Sequence, residues 1–116
     1  MQVPNIQTAI PQRRYRLGEY HAVVLGEIES SDAVKYQYIL ALVREGESKP
    51  SFFVTAEKNP RSRRQEGSHR LRALTHNLDE DLGSSDRWSD LDSFATEALT
   101  VAAKILGLTD AAPTRL

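Results

Sequence analysis

The sequence predicts an α+β domain: an antiparallel meander of three to four strands with one long C-terminal helix packed on one face. Three observations carry this. Runs rich in valine, tyrosine, isoleucine and phenylalanine succeed one another over 19–58, separated by polar turns too short for the crossover that parallel strands need. Over 86–106 the apolar residues change to a spacing of three and four, which is one face of a helix. With 116 residues, 40% of them hydrophobic, the chain fills one core and not two.

Residues 1–12 are polar, contain Pro4 and Pro11 and show no usable period, so they read as a loose N-terminal arm. Glu19 to Glu29 has strand composition with Gly26 as a candidate bulge, and Ser30–Ala33 supplies turn residues whose short side chains bond to the local backbone. Val34 to Arg44 is a second strand, Glu45–Ser48 a second turn, and Pro50 opens a third strand over Ser51 to Lys58. The basic stretch 58–68 has no apolar residue and reads as a solvated loop. His69 to Leu78 fits both an edge strand and a helical face, and the alternation of Leu71, Ala73 and Thr75 with arginines favours the strand. Asp79 to Ser85 is acidic, contains Gly83 and reads as a connection into the helix.

In that helix Trp88, Leu91, Phe94, Ala95, Ala98, Val101, Ala102 and Ile105 form the stripe. Ser85 or Asp86 caps its start, Asp90 and Asp92 sit near the positive end of its dipole, Gly107 takes the left-handed C-cap position and Leu108 folds back. Residues 109–116 form a tail that Pro113 keeps from resuming the helix.

Composition removes several function classes. No cysteine means no disulfide framework, no thiolate metal site and no cysteine nucleophile. A formal charge of -1 gives no global attraction to nucleic acid or anionic lipid, so any such attraction must be local. No apolar run is long enough to span a bilayer, and Met1 to Pro11 lacks the features of a signal peptide, so a cytoplasmic protein without membrane contact is expected. There is neither a G-x-S-x-G elbow nor a phosphate-binding loop. His69 and His76 near Asp79 and Asp81 have no recognised metal-ligand spacing, and a lone strand histidine such as His21 makes no catalytic constellation. No metal, no cofactor and no catalytic residue are assigned.

The meander is oily on both sides. Tyr36, Tyr38, Leu40 and Leu42 alternate with Ile39, Ala41 and Val43, while a single helix can cover one face. The other face therefore needs a cover, and a second copy of the chain is the favoured one, ahead of another protein, an apolar ligand, or residues 1–18 folding back. The expected function is a non-catalytic, self-associating interaction domain, a homodimer held through Tyr36, Tyr38 and Leu40 or through an edge strand. The alternative is a nucleic-acid-binding module that uses the arginine-rich segment 58–72, with Arg61, Arg63, Arg64, Arg70 and Arg72 as phosphate contacts. An enzyme or carrier with a ligand cavity on the sheet is a third class that no residue constellation supports.

Overall fold

The strands read at 19–58 are the middle of a larger sheet. The computed structural model describes residues 3–116. It contains β1 (Ile6–Leu17), β2 (Tyr20–Ser30), β3 (Tyr36–Arg44), β4 (Phe52–Lys58), β5 (His69–Leu74), β6 (Asp79–Ser85), α1 (Leu91–Leu106) and a short β7 (Thr114–Arg115). All pairings are antiparallel, in the order β6-β5-β4-β3-β2-β1-β7. The α+β class stands, but the three to four strands are corrected to seven. The return of β7 to the β1 edge makes the sheet more than a simple meander.

Two of the added strands occupy segments whose composition hides them. The loose arm expected over 1–12 is corrected from Ile6 onward to β1, while Met1 and Gln2 lie outside the described residues. Pro11 and three register shifts break the alternation of β1, and its pairing to β2 holds it in the sheet regardless of propensity. Asp79–Ser85, expected as a connection, is the edge strand β6, where charge is a normal device against unwanted pairing. The basic stretch 58–68 contains a 3-10 helix over Arg61–Glu66. Its end is fixed by Gly67, whose φ of 137° suits glycine and where a Cβ would come within 2.5 Å of the Ser85 backbone nitrogen.

The helix begins later than its stripe suggests. A 3-10 turn over Asp86–Ser89 precedes it, with Ser85 accepting from the Arg87 backbone N–H at 3.1 Å. The cap of α1 itself is Asp90, which accepts from the Ser93 N–H at 2.9 Å. At the far end Gly107 is left-handed, and the Leu108 N–H reaches back to the Ala103 carbonyl at 2.7 Å, as a glycine C-cap requires.

Helix α1 covers one face of the sheet, burying Phe94, Ala98 and Ala102 against Leu40, Leu42, Val54 and Ala56. The reverse face has its own small cluster, Ile39, Ala41, Phe53 and Leu74, packed beneath Ile6, Leu25, Ile28 and Tyr36 of the same chain. Two backbone irregularities make this cover. Glu27 takes a φ of 46°, which turns Ile28 to the side opposite Val24, and a register shift between Tyr36 and Tyr38 turns Tyr36 away from Tyr38. The expected common face of Tyr36, Tyr38 and Leu40 is therefore corrected. Leu40 is 0% exposed beneath α1, Tyr38 stacks on Phe94 with ring centroids 5.4 Å apart, and Tyr36 lies on the other side.

Candidate functional site

Charge on the reverse face is organised by one carboxylate. The Glu57 residue is 1% exposed on β4, and such a group needs partners to remain ionised. Its Oε1 accepts from Arg70 Nη2 at 3.0 Å, while its Oε2 accepts from Arg72 Nη1 at 3.0 Å and from the Thr55 hydroxyl at 2.8 Å. Arg72 also forks onto Asp79, both oxygens at 2.7 Å from Nη2, and Arg70 lies 3.5 Å from Asp81. Cross-strand register sets Glu57 opposite Arg70 on β5 and Arg72 opposite Asp81 on β6, and the bridges Arg72–Asp79 and Arg70–Asp81 then run diagonally between β5 and β6.

The arginines expected to act together are thereby divided. Arg70 and Arg72 are paired with three carboxylates, Glu57, Asp79 and Asp81, across β4, β5 and β6. Arg61, Arg63 and Arg64 lie on the 3-10 helix, with Arg63 forked onto Glu66 at 3.0 and 3.2 Å. Among the described residues, Arg61 and Arg64 form no ion pair.

Arg64 instead lines a cleft together with two lysines. An open cleft of about 470 Å³ lies between the β2–β3 turn and the end of β4, lined by Ala33, Val34, Lys35, Lys58, Asn59, Pro60 and Arg64. Its charged residues are all cationic. The Lys58 N–H donates to the Lys35 carbonyl at 2.8 Å, which fixes the two lysine backbones side by side. Asn59 is 5% exposed and its amide donates to the Gly67 carbonyl at 2.8 Å and to Ser84 Oγ at 2.9 Å, anchoring the wall that leads into the 3-10 helix. Lys35 is the member that sequence reasoning missed, although the β3–β4 pairing of Tyr36 with Glu57 places Lys35 beside Lys58 and a hairpin drawn from the turn would have shown it.

The cleft opens into a broader groove of about 770 Å³ that shares Lys35 and Lys58 and adds Glu27, Glu29 and Asp32. Asp32 accepts from the Tyr36 hydroxyl at 2.6 Å and from the Asn5 N–H at 3.0 Å. The Tyr36 bond leads the effects that hold the Asp32 carboxyl below its usual range, while burial and then this acceptor push the tyrosine up. Beside α1 a second acid-free groove carries two cations, Lys104 and Arg115, between Tyr15, Leu99 and Pro113.

The histidines give no reactive arrangement. Ser68 Oγ lies 2.7 Å from His69 Nδ1, but His69 is 6% exposed and its Nε2 has no partner, so no third group orients the ring. Burial first, then the Lys58 charge, lowers the His69 pKa and keeps the ring neutral. Among the described residues no cluster of three or more histidine, aspartate or glutamate side chains is arranged to hold a metal ion.

No protein-family model matches the chain, and no curated protein or solved structure matches it.

Proposed function

We propose that the protein is a non-catalytic nucleic-acid-binding module whose phosphate contacts are Lys35, Lys58, Arg61 and Arg64. The observation that supports this most is the cleft itself: Lys35, Lys58 and Arg64 line it with no carboxylate among its lining residues. Arg61 extends the same charge along the exposed 3-10 helix. Attraction of this kind is local, as a chain of net charge -1 requires, and acts through release of counterions from the phosphates.

The test is fluorescence anisotropy with a labelled single-stranded oligonucleotide across a salt series. The expected log–log slope against salt is about -0.7 for each phosphate contacted. Combined replacement of Lys35, Lys58 and Arg64 by alanine should abolish binding, because all three side chains project from exposed positions and none holds the core. Absence of salt-dependent binding at low salt would overturn the proposal.

Self-association has less to draw on. The apolar reverse face on which it rested is packed under the chain's own Ile6, Leu25, Ile28 and Tyr36. An edge strand remains open to a second copy at two places: β1 ahead of Tyr15 and Arg16, which β7 pairs, where Pro11 and three register shifts interrupt the edge, and β6, which carries Asp79, Glu80 and Asp81.

A further inference from the structure

We infer that the Lys35–Lys58–Arg64 cleft takes the phosphorylated end of a nucleic-acid strand, a terminal phosphomonoester, in preference to a phosphodiester within the strand. This rests on the nucleic-acid reading and names its ligand more closely. The first ground is charge. A diester carries one negative charge, whereas a monoester carries about -1.5 to -2 at neutral pH with three acceptor oxygens. Three cations without a carboxylate match the monoester better.

The second ground is what lies next to the cleft. A strand threading through it would run from Lys35 and Lys58 straight into the groove that presents Glu27, Glu29 and Asp32. Successive phosphates would then face carboxylates, one of which Tyr36 and Asn5 hold ionised. A strand that ends in the cleft avoids that repulsion and leaves over the 3-10 helix, where Arg61 is exposed. The third ground is preorganisation. The Lys58–Lys35 backbone bond and the buried Asn59 amide fix the backbone of the walls before any ligand arrives, so the ordering cost on binding is confined to the exposed Lys and Arg side chains.

The experiment compares one short single-stranded oligonucleotide in unphosphorylated, 5′-phosphorylated and 3′-phosphorylated forms, with inorganic phosphate as competitor. One phosphorylated form is expected to bind on the order of tenfold more tightly than the unphosphorylated strand. Lys35→Ala and Lys58→Ala should remove that preference, Arg61→Ala should weaken all forms alike, and Glu27→Gln with Glu29→Gln should narrow the preference by admitting internal phosphates. Unchanged thermal melting of the variants shows that they are folded.

Equal, salt-dependent binding of all three forms would overturn this inference and leave the nucleic-acid reading standing. No binding of any form would overturn both. Displacement by inorganic phosphate at the concentration at which the phosphorylated strand itself half-saturates the protein would show a small-anion site and overturn the strand-end assignment.

Discussion

Glu57 is the residue on which the charged half of the reverse face depends. It sits at 1% exposure between two arginines and a threonine hydroxyl, so replacing it with glutamine leaves two guanidinium groups short of a counter-charge. Glu57→Gln is expected to cost about 2–3 kcal/mol in urea unfolding, less than for a fully enclosed pair, because Asp79 and Asp81 still balance Arg72 and Arg70. A loss below the error of the measurement would mean that the lattice is decorative. His69 gives the pH dependence. Its pKa is lowered by burial and then by Lys58, so below the usual histidine value near 6.5 the unfolded chain takes up a proton that the folded chain refuses. Stability should therefore fall as the pH drops through about 6.5, and His69→Gln should flatten that part of the profile in thermal melts. Asp32 acts in a lower window. Its carboxyl is held down chiefly by Tyr36, so its contribution is present above about pH 4 and lost on further acidification, and Tyr36→Phe should reduce the loss.

At the scale of elements, the helix and the sheet middle were legible and the sheet edges were not. The stripe through Phe94, Ala98 and Ala102 is a period that packing enforces, and all three are fully buried. Phe94→Ala should accordingly cost about 3–5 kcal/mol in denaturant unfolding, since it removes the ring that stacks on Tyr38 and leaves a cavity beneath α1. The strands β1 and β6 escaped because both lie at the rim of the sheet, β1 beyond the two residues that β7 pairs, where Pro11 in one and Asp79, Glu80 and Asp81 in the other depart from strand composition. The face assignment failed at Tyr36, and Ile28 changes side within β2, for a different reason. A single bulge reverses every side chain beyond it; Gly26 marks a candidate bulge beside Glu27, but composition does not say that Glu27 takes the φ of 46° or to which side Ile28 then turns. The candidate site was half visible. Arg61, Arg64 and Lys58 stand out as a basic run, but the pairing of Arg70 and Arg72 with Glu57 depends on strand register, and Lys35 arrives from another turn.

In the whole molecule α1 covers one face of the sheet, and Ile6, Leu25, Ile28 and Tyr36 pack over the apolar cluster on the other. The accessible surface of 6778 Å² is close to the roughly 6,300 Å² expected of a compact monomer of 13.0 kDa. Among the described residues the large apolar side chains that stay exposed, Val3, Ile10, Ile105 and Leu116, belong to four separate segments. Ile6, Leu25, Ile28 and Tyr36 are themselves only partly buried where they cover the reverse face, and beside them the molecule presents a cationic cleft next to a groove that carries Glu27, Glu29 and Asp32. Whether both faces are closed by the chain itself is read most directly by multi-angle light scattering over a wide concentration range. The expected mass is that of one chain, 13.0 kDa, at every concentration. A mass that doubles, and returns to one chain when Ile6 or Leu25 is replaced by glutamate, would contradict the account by showing that the reverse face is completed by a partner.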